Sequence, residues 1–160
     1  MLSEELAQIV ESVWETTVGN SIRRLPPTEE AASGGAHMVT ASICFKGGWS
    51  GLLAATCSAA LARTIAARMF HIAAEDSSPE DMHDAVAEVV NIVGGNIKAV
   101  LPTPCRLSLP AVFEGDAEGS ALLVPESETV DTVCFDCEGE RLTLRLVYDR
   151  WPRNSHPPSA

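Results

Sequence analysis

Three polar residues recur at helical spacing in the middle of the chain, namely Asp84, Glu88 and Asn91. At about 100° per residue they fall within one narrow stripe of a helix, so a carboxylate and an amide one turn apart can act on the same partner. A carboxylate can grip a cation, and an amide can position a water molecule. In phosphoryl transfer the catalyst mainly orients the nucleophile and stabilises charge. The pair Glu88 and Asn91 therefore suits hydrolysis of a phosphoryl group held by another protein.

Two glycines, Gly94 and Gly95, follow the polar residues on the same predicted helix. Each costs about 1 kcal/mol relative to alanine in a helix interior, so their presence needs a reason. Close approach of a partner would supply one. The alternative is a solvated polar face on a helix that ends at Gly94 or Gly95, and periodicity alone leaves both interpretations open.

The opposite side of this helix is apolar. The stretch from Ser77 to Asp81 predicts the helix start, because it offers a serine cap, a proline at the first helical position and acidic residues in the first turn. Apolar residues then recur on one face, which predicts a buried side made of Met82, Val86, Val89, Val93, Ile97 and Val100.

The composition predicts one folded domain. With 160 residues, of which 46% are hydrophobic, the chain can bury one sizeable core, and we expect a single domain over residues 1–150. The proline-containing residues 151–160 are expected to form a disordered tail.

Charge narrows the classes of partner. A formal net charge of −11 and a pI near 4.7 argue against nucleic acid or an anionic membrane, because both are polyanions that recruit Lys and Arg. The N-terminal residues lack the basic start of a signal peptide, and the longest apolar run is too short to span a bilayer. We therefore expect a cytoplasmic protein without membrane insertion.

The remaining pattern predicts an α+β fold. One helix is expected from Ser3 to Gly19, and a second runs from a Ser58 cap to His71. An irregular connection, part of which can form an edge strand, is expected over residues 20–36. The alternating apolar pattern predicts a largely antiparallel sheet, with long helices packed on one face and strands at 37–45, 51–57, 106–113, 120–124, 130–137 and 141–148.

A weak internal repeat relates the first helix to the polar helix. Superposing Gly19-Asn20 on Gly95-Asn96 also aligns the apolar positions of the two helices. The domain is therefore predicted to contain two related halves, although any two amphipathic helices share part of this pattern. At the positions of the carboxylate and amide pair the first helix has Ser12 and Glu15, so chemistry that uses the pair occurs once.

Cysteine and histidine offer weaker candidates. Cys134 and Cys137 form a C-x-x-C pair, but positions i and i+3 of a strand point to opposite faces and no second pair accompanies them. A metal or redox site is therefore disfavoured, and the five cysteines are expected to be reduced thiols. His83 lies next to Asp84 and can assist there or be an ordinary surface histidine, the interpretation that we favour.

The helix pattern resembles a known signature. Asp84-x-x-x-Glu88-x-x-Asn91, followed by Gly95-Asn96 and by a proline in the next strand, resembles the motif of the CheX, CheC and FliY family of chemotaxis phosphatases. The single copy of the motif is similar to the CheX branch and implies a CheC-like fold. Pro110 is the equivalent proline, at a shorter separation than in the family, and Pro102 competes for that role.

The resemblance implies a mechanism. Glu88 would pair with a lysine of a phosphorylated CheY-type response regulator, and Asn91 would orient the attacking water. Asp84, Gly94 and Gly95 would serve partner binding. The protein would need no cofactor of its own, since the regulator would supply Mg²⁺, and it would form a homodimer through edge strands. The alternatives are a non-catalytic module that binds a receiver or another chemotaxis protein through the same helix face, and a structural dimerisation domain.

Overall fold

The computed structural model describes residues 3–19, 22–26, 37–115 and 129–150, and the strand predicted at 120–124 and the predicted tail at 151–160 lie outside these ranges. The helices are α1 (Ser3–Thr17), α2 (Ala59–Phe70) and α3 (Pro79–Val100), with a short 3₁₀ helix at Ala74–Asp76. The strands are β1 (Arg23–Leu25), β2 (Met38–Gly47), β3 (Gly51–Ser58), β4 (Cys105–Leu107), β5 (Ala111–Gly115), β6 (Thr129–Cys137) and β7 (Glu140–Tyr148).

The described strands form one antiparallel sheet in the order β1-β6-β7-β3-β2-β4, with β5 also paired to β2. Alternate residues of the central strands are buried against the helices, as at Ile43, Leu53 and Leu144. The predicted α+β class with an antiparallel sheet is confirmed. Strand β1 lies within the connection where an edge strand was expected.

The sheet order reveals two related halves. Each half consists of a helix, a short strand and then a β-hairpin: α1, β1 and β2–β3 in the first, and α3, β4 and β6–β7 in the second. The short strand of each half pairs with the hairpin of the other half, since β1 joins β6 and β4 joins β2. Exchanging the halves therefore leaves the sheet order unchanged, which agrees with the two-half organisation predicted from the repeat.

The predicted strand at 106–113 is divided into β4 and β5, which lie along the same edge of β2. Ser108 marks the break, because its backbone N–H donates to the Cys44 carbonyl at 2.9 Å while its hydroxyl accepts from the Cys44 N–H at 2.9 Å. A side-chain oxygen thus takes the place of a backbone carbonyl in the ladder. The chain changes course at this point and β5 begins just after Pro110.

Helix α3 begins as predicted. Ser78 is its N-cap, the Ser78 hydroxyl accepts from the Asp81 N–H at 3.0 Å, and the Asp81 carboxylate accepts from the Ser78 N–H at 2.9 Å. The helix continues without a break to Val100. The alternative in which the helix ends at Gly94 or Gly95 is therefore wrong, and both glycines occupy helix interior positions.

Packing against the sheet and the other helices holds α3 in place. Its apolar side contacts β2, β3 and α2, and the buried residues include Val86, Val89, Val93 and Ile97. Burial of each such side chain contributes about 1.5–3 kcal/mol relative to exposure, so the sum far exceeds the cost of two helical glycines. The opposite face of α3 is left to solvent along most of its length.

Candidate functional site

The solvent-facing side of α3 carries the predicted polar residues. Asp84, Glu88, Asn91, Gly95 and Lys98 are all exposed, and we call this set the polar stripe. Since residues three and four apart on a helix have Cβ atoms about 5–6 Å apart, Glu88 is a neighbour of both Asp84 and Asn91. The structure therefore brings the predicted carboxylates and amide together on one accessible surface.

The side chains of Glu88 and Asn91 make no hydrogen bond to any residue within the described ranges. Asn96, only five positions after Asn91, behaves differently, because its Nδ2 donates to the Ile92 carbonyl at 2.9 Å. The carboxylate of Glu88 and the amide of Asn91 are thus available for an external partner, whereas the Asn96 amide is already engaged with the helix backbone.

The charge of the polar stripe suits a cationic partner. Asp84 and Glu88 place two carboxylates on adjacent turns, and Lys98 lies at the far end of the stripe. The first turn of α3 adds Glu80 and Asp81, of which Asp81 is used in the capping box. A lysine approaching the middle of the helix therefore meets a negative surface.

The two glycines have different surroundings. A Cβ atom built at Gly95 would meet nothing within 4 Å, so the space above Gly95 is open. Gly94 is buried, and a Cβ there would lie 3.4 Å from Ile43 Cγ2 and 3.7 Å from Leu107 Cδ1. The predicted partner-binding role of Gly94 is wrong, because one residue turns the helix by about 100° and directs Gly94 toward the sheet. Gly95 remains on the accessible face.

Two histidines converge on one carboxylate at the edge of the site. His83 Nε2 lies 2.6 Å from Glu114 Oε1, and His37 Nε2 lies 2.9 Å from Glu114 Oε2. Hydrogen bonds from His37 and then His83 hold the pKa of Glu114 below its ordinary value. We call these residues the His-Glu-His cluster, which links α3 to β5 and to the start of β2. Sequence reasoning missed it because Glu114 is distant along the chain.

Pro110, Pro102 and the C-x-x-C pair all lie outside the polar stripe. Pro110 precedes β5, and Pro102 follows the end of α3. Cys134 and Cys137 are both buried on β6, and burial raises the pKa of the Cys137 thiol to about 12. Within the part of the chain that the structure describes, no group of three or more His, Cys, Asp or Glu side chains is arranged to hold a metal ion.

A surface groove between α1 and α3 also escaped the sequence analysis. It encloses about 480 Å³ and is lined by Glu5, Gln8, Ile9, Ser12, Asn96 and Val100. Val100 was predicted to be buried, and this is wrong: its side chain is 58% exposed because it borders the groove rather than the core. The lining residues come from two helices that are far apart in sequence, so no local pattern predicts that they lie side by side.

The structure combines an antiparallel sheet, helices packed on one face and an exposed polar stripe on α3. The model of the family described as chemotaxis phosphatase CheX matches residues 39–136, which include all of α3. The chain belongs to this chemotaxis phosphatase family. None of the helices in residues 3–19, 22–26, 37–115 and 129–150 has the length and apolar character needed to cross a membrane.

Solved structures share the fold. A CheC-like superfamily protein from Shewanella sp. PV-4 is 18% identical with a TM-score of 0.74, covering 92% of this chain and 96% of that one. The chemotaxis protein CheX from Vibrio vulnificus is 18% identical with a TM-score of 0.71, covering 89% and 93%. The CheX-CheY-BeF₃-Mg²⁺ complex from Borrelia burgdorferi is 18% identical with a TM-score of 0.71, covering 91% and 96%. A search of curated proteins gives no match.

Proposed function

We propose that the protein accelerates hydrolysis of the aspartyl phosphate of a CheY-type response regulator. The observation that carries the proposal is the exposed pair Glu88 and Asn91 on α3, whose side chains have no hydrogen-bond partner among the described residues. The chain's membership of a phosphatase family supports the reaction type. The pair provides one group to hold a partner and one to direct a water molecule.

In this mechanism the two side chains have separate tasks. The Glu88 carboxylate pairs with a lysine ammonium of the regulator and fixes the position of α3 against the phosphoryl site. The Asn91 amide enters that site and hydrogen bonds to a water, so that the water oxygen attacks phosphorus in line with the aspartyl oxygen that leaves. Asp84 adds negative charge beside Glu88, and the open space at Gly95 lets the regulator approach the helix.

The metal ion in this mechanism belongs to the regulator. The complex from Borrelia burgdorferi combines CheX with CheY, BeF₃ and Mg²⁺, and BeF₃ stands in for a phosphoryl group on a carboxylate oxygen. We propose that the regulator's Mg²⁺ offsets the phosphoryl charge here as well. The present chain then contributes only hydrogen bonding and position, which is consistent with a site built from one carboxylate and one amide.

The test is dephosphorylation of a phosphorylated CheY-type receiver by the Asn91→Ala variant. We expect loss of essentially all acceleration with binding retained, because the amide orients water while Glu88 still holds the partner. Phosphate release measures the rate, and fluorescence anisotropy with the BeF₃-activated receiver measures the affinity. The matched control is Glu15→Ala, which changes the corresponding position of α1 and should leave kcat unchanged.

Full activity of Asn91→Ala would contradict the assigned mechanism. Wild-type protein that binds the activated receiver without shortening the lifetime of its phosphate would instead identify a non-catalytic binding module that uses the same helix face.

We also propose that two chains associate through the sheet edge formed by β4 and β5. Within residues 3–19, 22–26, 37–115 and 129–150, β5 pairs only with β2, and its residue Phe113 is 41% exposed. An unpaired strand edge beside an exposed aromatic ring is suited to pairing with an equivalent edge. Such a contact is self-complementary and gives a two-fold dimer.

A further inference from the structure

The groove between α1 and α3 is a shallow surface built from two helix faces. Glu5, Gln8, Ile9 and Ser12 lie on one side of α1, since they are separated by three, four and seven positions from Glu5. The facing wall is provided by Asn96 and Val100, which are one turn apart on α3. The groove therefore runs alongside α3 in the C-terminal half of that helix.

This groove adjoins the polar stripe. Gly95 belongs to the stripe and is the neighbour of Asn96, which lines the groove. Apart from its two chain neighbours and the local helix backbone, no atom lies within 4 Å of a Cβ position on Gly95, so no side chain from another part of the described chain separates the stripe from the groove at that point. A partner that reaches Asn91 from solvent can therefore extend over Gly95 into the groove without a steric barrier.

The walls combine apolar contact with negative charge. Ile9 is half-buried and Val100 is 58% exposed, so together they offer an apolar contact inside the groove. Glu5 adds a carboxylate, while Gln8 and Asn96 add amides. Helix α1 contains no Lys, Arg or His. Arg24 of β1 pairs with Glu4 at 2.6 Å, but no ion pair to Glu5 is found among the described residues, so the carboxylate that lines the groove keeps its negative charge. The complementary surface is an apolar side chain bordered by Lys or Arg.

We propose that this groove is a docking site for the phosphorylated receiver itself, and that it receives the surface flanking the receiver's phosphoryl site through an apolar side chain bordered by basic residues. The inference rests on the proposed function, because Asn91 can reach the phosphoryl group only if the receiver also covers the adjacent part of α3. A second copy of this chain is the poorer occupant of this groove, since the groove is acidic and the chain has 22 acidic residues against 11 Lys and Arg with which to complement it.

This assignment gives α1 a task of its own. The repeat relates α1 to α3, yet α1 has Ser12 and Glu15 where α3 has the carboxylate and amide pair. The helix that lacks the catalytic pair thus supplies the docking wall for the helix that has it. Docking on α1 adds to the affinity that Glu88 provides for the receiver, whereas Asn91 sets the rate of the chemical step.

The test separates affinity from rate in steady-state dephosphorylation of a CheY-type receiver. Val100→Asp places a charge in the apolar part of the groove, and Glu5→Lys reverses the charge of its wall. Both residues are exposed, so the fold should tolerate the changes. We expect each variant to raise KM about tenfold, which corresponds to about 1.4 kcal/mol of lost docking, and to leave kcat near the wild-type value.

Two matched variants serve as controls. Val100→Thr keeps the side-chain shape without adding a charge and should raise KM far less than Val100→Asp. Glu75→Lys makes the same charge change on the exposed Ala74–Asp76 helix, outside the groove, and should leave KM unchanged. Circular dichroism and the urea midpoint of each variant establish that the fold is intact.

The outcomes distinguish the two proposals. Wild-type KM in both Val100→Asp and Glu5→Lys overturns the docking site while leaving the catalytic assignment of Asn91 in place. A loss of kcat with unchanged KM in these variants also overturns it, because docking acts on affinity. If wild-type protein does not accelerate loss of phosphate from the receiver, the proposed function is wrong. The assignment of the receiver as the occupant of the groove is then wrong as well.

Discussion

Gly94 and Gly95 are adjacent in sequence and identical in chemistry, but the structure gives them opposite environments. Gly94 is directed toward the sheet, where a Cβ atom would meet Ile43 and Leu107, and Gly95 faces open space. The contacts that a Cβ at Gly94 would make are of ordinary van der Waals length, so the structure imposes no strict need for glycine there. At Gly95 the folded chain imposes none either, and we propose that clearance for a partner explains the small residue.

We expect Gly95→Leu to separate stability from activity. Leucine is a better helix former than glycine by about 1 kcal/mol, so the free energy of unfolding should increase by a similar amount. Activity on a phosphorylated receiver should fall more than about tenfold, because the new side chain occupies the space through which the receiver approaches. Urea denaturation and phosphate-release kinetics provide the two measurements.

Gly94→Ala is the control for this prediction. Its methyl group fits against Ile43 at 3.4 Å and does not reach the accessible face, so activity should be retained. Equal loss of activity in Gly94→Ala and Gly95→Leu would show that helix propensity, rather than clearance for a partner, explains the effect.

At the level of elements, the His-Glu-His cluster connects the N-terminal part of α3 to an edge of the sheet. His83 belongs to α3, Glu114 to β5, and His37 immediately precedes β2. The cluster lies one residue from Asp84, so it restrains the rotation of the helix at the N-terminal end of the polar stripe. Strand β5 consequently positions α3 even though it takes no part in the proposed chemistry.

This cluster predicts a pH dependence of stability. Since hydrogen bonds from His37 and His83 lower the pKa of Glu114, its carboxylate stabilises the fold above the unfolded-state pKa of about 4.3. That stabilisation is lost as the pH falls through the lower folded-state pKa. We therefore expect Glu114→Gln to be less stable than wild type at neutral pH, with the difference disappearing in acid.

Urea midpoints of wild type and Glu114→Gln between about pH 3 and pH 7 measure this effect. Glu75→Gln, an exposed glutamate outside the cluster, is the control and should follow the wild-type profile. A constant difference between wild type and Glu114→Gln across this range would show that the carboxylate charge is not involved.

Sequence reasoning succeeded for elements whose signals are local. The start of α3 within Ser77 to Asp81 and the cap at Ser58 depend on residues within a few positions, and each is found where predicted. The burial of Gly94 and the division of residues 106–113 depend on strand β2, which is distant in sequence. The local patterns of one amino-acid sequence do not predict which distant segments pair or pack together. The α1–α3 groove was not predicted for the same reason.

At the scale of the whole molecule, the oligomeric state is the property to be tested. We expect light scattering at micromolar concentration to give twice the chain mass of 17.0 kDa, because the β4–β5 edge is open to pairing. Phe113→Lys places a charge on that edge and should shift the mass toward one chain. A wild-type mass of one chain would remove the dimer and leave the catalytic proposal unaffected.

The pairing of β3 with β7 has a further consequence for how the protein is made. This pairing is the only link between the two hairpins among the described strands, and it joins residues 51–57 to residues 142–148. During synthesis α3 is made before β7, so the sheet beneath it has an unpaired edge at β3 until β7 has followed. Pairing of segments so far apart is intrinsically slow. Helix α3 is thus synthesised early, but the sheet on which it packs is completed only when β7 pairs with β3.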